Sequence, residues 1–194
     1  MTTPTSHSGL LLVLCGPAGV GKSTISRQLS GSMNILYTVS ATTRPHTPGD
    51  DIGKTYQHIS ADEFFHRLDG DEFLEYAQVY GNYYGTPMHP TLDQLAAGRD
   101  VLLEIDVQGA LQVRDMYPQA VLIFILPPDE PTLLRRLRDR GRDTEEEISR
   151  RFRAAKREIR MARGSKAFDF WVTNDQVDHA VNRICEIVRQ RRGA

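Results

Sequence analysis

The sequence predicts a three-layer α/β fold: a parallel sheet between helices, with an inserted lobe and an arginine-rich helical segment. Three observations carry this. Residues 10–15, 101–105 and 121–126 are strongly apolar runs without regular polar alternation, as strands buried on both faces require. Helix-like stretches separate them, so parallel strands with right-handed crossovers follow. Between about residues 40 and 98 strand and helix mix differently, which reads as an insertion with its own task.

The elements follow in order. The strand 10–15 is broken by the glycine-rich stretch 16–21, after which 22–29 reads as a helix. Residues 35–39 are β-prone. Residues 42–54 hold two Pro, two Gly and two Asp and read as a loop. Ser60 and Glu63 have the spacing of a capping box, so a helix starts there and runs to about 68. Residues 73–79 read as a strand and 80–87 as a turn-rich aromatic loop. Pro90 suits the first turn of a helix ending near 98. The strand 101–105 carries Asp106 at its carboxyl end, and a helix over 107–116 follows. The strand 121–126 is stopped by Pro127 and Pro128. Two helices are expected at about 131–140 and 144–163, the second with a capping box from Thr144 and Glu147. Residues 168–172 form a last core strand, and Asp175 is placed to cap a terminal helix to about 191.

Composition excludes several classes. The longest uninterrupted apolar run is 120–126, far short of the about 20 residues of a membrane span. Residues 1–9 are polar, without Lys or Arg, and read as a flexible N-terminal tail and not a signal peptide, so a cytoplasmic location is expected. Cys15 and Cys185 are too few for a disulfide framework and read as small core residues. The histidines lack metal-ligand spacing. A net charge of −1 gives no overall attraction to nucleic acid or anionic membrane, so neither partner is expected. The distribution is uneven: residues 135–163 hold eleven arginines and Lys156 against six acids, on an otherwise acidic body. A local basic segment of that kind points to an anion handled at one place.

The sharpest motif is Gly16-Pro17-Ala18-Gly19-Val20-Gly21-Lys22-Ser23, which matches GxxxxGK[ST] between a buried strand and a helix. Glycines let successive backbone N–H groups curl toward phosphate oxygens, and the helix N-terminus adds its positive end. Lys22 is a point charge for the β- and γ-phosphates, and Ser23 offers a hydroxyl ligand to Mg²⁺. The motif specifies a nucleoside triphosphate, not the use made of its phosphate.

Further motifs follow in order: Ser40-Ala41-Thr42-Thr43-Arg44, the stretch 49–56, Phe73-Leu74-Glu75, Gly81-Asn82-Tyr83-Tyr84-Gly85-Thr86, and Glu104-Ile105-Asp106 with Val107-Gln108-Gly109. With the phosphate cradle, they make the chain resemble guanylate kinase from about residue 10 to 188. The resemblance implies ATP + GMP → ADP + GDP with Mg²⁺, on a nucleoside-monophosphate-kinase version of the P-loop fold. It implies one domain over 10–194, with a core of about 10–39 and 99–194, a GMP-binding lobe of about 40–98 and a lid of about 135–163. ATP would lie on residues 16–23, with Thr24, and with Asn174 near the adenine. Ser40, Glu75 and Thr86 fall where guanine is read; Arg44, Tyr56 and Tyr84 where the GMP phosphate is held; Asp106 near GMP and the metal. Lys22, Arg44 and the lid residues Arg136, Arg140 and Arg151 would offset transition-state charge.

The chemistry of Glu75 agrees independently. Guanine offers two adjacent donors, and an ionised carboxylate is acceptor-only, whereas adenine has an acceptor at N1. Two departures stand out: Thr47 replaces a second phosphate-binding arginine, with His46 beside it, and Ala18 replaces a common serine. Two rivals stay open, a binding module of the same fold without turnover and a P-loop kinase with another phosphate acceptor. The intact Gly21-Lys22-Ser23 argues against the first, and Glu75 with Ser40 and Thr86 against the second.

Overall fold

In the computed structural model, which describes residues 8–46, 56–139 and 144–193, β1 (Leu11–Cys15) is buried at every position and forms the middle of the main sheet. Around it stand β7 (Val101–Glu104) and β8 (Val121–Leu126), both parallel to β1, with Leu12 facing Leu102 on one side and Val121 on the other. The short β2 (Leu36–Tyr37) pairs with β7 and β9 (Phe170–Thr173) with β8, giving the order β2-β7-β1-β8-β9 with every pair parallel.

The alternation of β1 divides the core into two layers. Leu12 and Leu14 pack with Ile25 and Leu29 of α1 (Lys22–Met33), Leu133 of α5 (Glu130–Arg138) and Ile184 and Val188 of α7 (Val177–Arg192). Leu11, Val13 and Cys15 pack with Leu95 of α3 (Met88–Ala96), Val113 of α4 (Val107–Met116) and Ala162 of α6 (Glu145–Ser165). Each fully buried aliphatic side chain contributes roughly 1.5–3 kcal/mol of transfer free energy. Cys15 and Cys185 are both buried thiols within these layers.

The insertion forms a second sheet. β3 (Ser40–Thr42) pairs with β4 (Tyr56–His58) in parallel and with β6 (Asn82–Pro87) antiparallel; β6 continues antiparallel to β5 (Phe73–Val79). Helix α2 (Ala61–Asp69), capped by Ser60 on the Glu63 N–H, covers it by burying Phe64 against Phe73, with ring centroids 4.7 Å apart, and against Ala41.

Four expectations change. Residues 80–87 are not an aromatic loop: the turn is confined to Tyr80 and Gly81, and Gly85 lies inside β6, paired with both Tyr76 and Ala41. Gly81 does serve the turn, whereas Gly85 is tolerated in a strand because that strand is paired on both sides. The β4 strand was not anticipated, since three residues beside a loop carry no periodicity. Helix α1 runs four residues past 29, to Met33. The cap position of α7 is Gln176, without a side-chain hydrogen bond, and the Asp175 carboxylate instead accepts from the Gln176 N–H at 2.7 Å.

Candidate active site

A cleft of about 570 Å³ opens between the carboxyl ends of the central strands and the second sheet. In open parallel sheets that end, where neighbouring crossovers diverge, is where ligands sit. Gly16, Ala18, Lys22 and Ser23 line one side, and Ser40, Arg44, Tyr56, Glu75 and Tyr84 the other. Glu104, Ile105 and Asp106 lie between them, and Arg150, Arg151 and Glu158 reach in from α6.

On the first side, α1 begins at Gly21, which has φ +92° and provides no side-chain cap. The first-turn N–H groups are therefore left for a ligand. Glycine is required at 21, because a Cβ there would stand 2.6 Å from Asn174 Nδ2. Asn174 is buried, and its amide donates to the Val20 carbonyl at 2.6 Å. Its side chain thus braces the back of the Pro17–Val20 turn. The Lys22 ammonium donates to the carbonyls of Gly16 and, at 3.3 Å, of Pro17. The Ser23 hydroxyl donates to Glu104 at 2.7 Å, and the other Glu104 oxygen is buried without a hydrogen-bond partner among the described residues. Thr24 is exposed on the same first turn of α1.

On the second side, Glu75 is 3% exposed. Burial pushes its carboxyl pKa up to about 7; the Thr86 hydrogen bond opposes this, and the nearby Asp106 charge adds to it. The Thr86 hydroxyl donates to Glu75 Oε1 at 2.6 Å, so its one proton is engaged there and Ser40 is the hydroxyl left facing the cleft. Gly109 makes room for Glu75: a Cβ at 109 would lie 2.2 Å from Oε2. Asp106 caps α4 by accepting from the Gly109 N–H at 2.9 Å, and burial holds its carboxyl above the usual range. Arg44 lies over the Tyr56 ring at 5.6 Å, and Tyr56 meets Tyr84 edge-on at 5.6 Å. One guanidinium and two phenol rings thus stand together in the cleft that the buried Glu75 carboxylate also lines.

The arginine-rich segment divides. Arg138 and Glu145 join α5 to α6 through two bonds of 3.1 Å, and Lys156 pairs with Glu130 at 2.7 Å. Arg136 turns to the backbone carbonyls of Asn174 and Asp175, at 3.0 and 3.3 Å, beside the end of β9. Arg151 reaches the cleft. Arg140 and Thr47 lie outside the described residues. Sequence reasoning quoted Glu104 within a motif but gave it no role, and it did not single out Arg150 or Glu158, which also line the cleft. Glu158 was legible as lying seven residues after Arg151, on the same helix face. Burial pushes its carboxyl up to about 7; Lys22 pulls it down and Asp106 raises it.

Comparison with known proteins points to one family. The guanylate kinase family model matches residues 8–191. A guanylate kinase of Gloeobacter violaceus is 48% identical over 184 residues, 94% of this chain and 88% of that protein. One from Clostridium tetani is 44% identical over 182 residues, 94% of this chain and 86% of the relative. The crystal structure of guanylate kinase from Anaplasma phagocytophilum superposes with a TM-score of 0.79 at 32% identity, covering 95% of this chain and 86% of that one.

Proposed function

The chain belongs to the guanylate kinase family, and from that premise we propose how its residues carry the family's reaction. The activity is transfer of the γ-phosphoryl group of ATP to GMP, giving ADP and GDP. An oxygen of the GMP phosphate bonds to the γ-phosphorus as the bond to the β-bridging oxygen breaks. The GMP phosphate is already anionic, so no general base is needed, and catalysis is positioning and charge stabilisation.

ATP lies with its phosphates on residues 16–23. Lys22, now resting on loop carbonyls, exchanges them for phosphate oxygens. GMP enters the second sheet: Glu75, held by Thr86, takes the guanine N1–H and amine, and the Ser40 hydroxyl serves O6. Arg44, Tyr56 and Tyr84 hold its phosphate, and Asp106 lies between the two nucleotides. Arg151, with Arg136 and Arg140 of the same segment, meets the charge that develops on the migrating group. Asn174 acts on the ATP side through the loop it braces.

The donors near Lys22 suit Mg²⁺. Ser23, Glu104 and Asp106 all offer oxygen, and the Glu104 oxygen that has no hydrogen-bond partner among the described residues can accept from a metal-bound water. Ser23 would hold the ion, which supplies charge neutralisation on the β- and γ-phosphates when bound. The lobe of about 40–98 and the lid of about 135–163 close over the core of about 10–39 and 99–194 to exclude water. We place the protein in the cytoplasm, with its nucleotide substrates. The observation that carries the assignment is the buried Glu75 carboxylate opposite the phosphate cradle. Arg44→Ala tests the acceptor side: KM for GMP should rise about tenfold or more while KM for ATP stays within about twofold. An unchanged KM for GMP would remove Arg44 from the phosphate site.

A further inference from the structure

The β5–β6 hairpin turns on Tyr80 and Gly81, both in the left-handed region, with φ of 50° and 86°. For a two-residue turn of this hand Asn-Gly is the favoured pair. A tyrosine there brings its Cβ against the following carbonyl, and strain held at one residue marks a position kept for another reason.

The ring supplies that reason. It leaves its own sheet and lies beside α6, where the Arg151 guanidinium stands 4.9 Å and that of Arg150 5.7 Å from the ring centroid. Both are within cation–π range. Tyr80 is 41% exposed; its partial burial, then the Glu158 carboxylate on that helix, push the hydroxyl pKa up, against the pull of Arg151 and Arg150. Tyr80, Arg150 and Arg151 all line the cleft that holds Lys22.

We propose that Tyr80 is a positioning residue for phosphoryl transfer: its ring face holds Arg151, with Arg150 beside it, at the mouth of the cleft. The lobe that takes GMP thereby sets where the lid helix delivers its cation. The inference rests on the reading of Arg151 as a transition-state group.

The test uses the full chain with saturating ATP and GMP. Y80N removes the ring and suits the turn better, so its melting temperature should equal or exceed the wild-type value while kcat falls about three- to thirtyfold. Y80F, which keeps the ring, should restore kcat to within about threefold of wild type. In an R151A background Y80N should add less than about a twofold further loss, because the arginine it positions is gone. The proposal is overturned if Y80N keeps wild-type kcat while R151A loses it, if Y80N melts lower than wild type, if Y80F is as poor as Y80N, or if the two losses multiply. Wild-type kcat in R151A overturns the arginine's role and the proposal with it. Absence of GDP formation by the wild-type chain would contradict the activity itself.

Discussion

Glu75→Gln separates base reading from every other part of the site. The ionised carboxylate takes two guanine donors, each worth about 1.5–3 kcal/mol as a charge-assisted hydrogen bond. Glutamine keeps one acceptor and turns a donor toward a donor. The loss is about 3 kcal/mol or more, roughly a hundredfold or more in kcat/KM for GMP. The structure adds a pH signature. Burial raises the Glu75 carboxyl pKa to about 7, so about a tenth is ionised at pH 6 and about nine-tenths at pH 8. Guanine binds the ionised form, so through this residue GMP affinity should rise about tenfold from pH 6 to pH 8. The phosphate of GMP also loses a proton near pH 6, but it does so with wild type and variant alike. Calorimetric titration of GMP at pH 6, 7 and 8, in two buffers of different ionisation heat, gives the affinity and the protons released. Glu75→Gln should release fewer protons and lose about a tenfold share of the pH dependence. A variant with the full wild-type pH slope would refute the reasoning.

Other expectations concern the supports. Gly109→Ala puts a methyl group 2.2 Å from Glu75 Oε2, so KM for GMP should rise by about tenfold or more with KM for ATP little changed; steady-state kinetics decides, and an unchanged KM for GMP would count against the contact. The raised pKa values of Glu75 and Glu158 mean that the folded chain binds these protons more tightly than the unfolded one. Their stabilising contribution is full below about pH 4.5 and is lost as pH rises through about 7. Thermal melts of the nucleotide-free protein should show this decline, and the double variant E75Q/E158Q should flatten it; an equally steep decline in the variant would contradict it. Thr47→Arg should lower KM for GMP by about ten- to a hundredfold at constant KM for ATP, if the segment approaches the phosphate; kinetics showing no change would place it elsewhere.

The parallel core was legible because β1, β7 and β8 are buried, so their sequences are dominated by one physical demand. The cap residues Ser60 and Thr144 placed the starts of α2 and α6 to the residue, with the full capping box formed at Thr144 while Glu63 accepts from Arg67. The second sheet was less legible, because β4 is three residues long and β6 mixes aromatics with glycine and proline, so pairing and not pattern makes them strands. Within the site, local motifs pointed to the glycine-rich turn before α1 and, through resemblance, to Ser40, Arg44, Tyr56, Glu75, Tyr84 and Asp106, which line the cleft. Contacts between distant segments had no local signal: Asn174 behind Val20, Gly109 against Glu75, and Tyr80 beneath Arg151 are each brought together only by the fold.

The most direct measurement is ATP-dependent nucleoside diphosphate formation from GMP, dGMP, AMP, CMP and UMP, each at matched concentration. A buried carboxylate that pairs with guanine donors predicts that GMP and dGMP are phosphorylated. It also predicts that kcat/KM for AMP lies about 10⁴-fold or more below that for GMP, because AMP leaves those groups unpaired. Turnover of AMP as efficient as that of GMP, or no GDP formed at all, would contradict it.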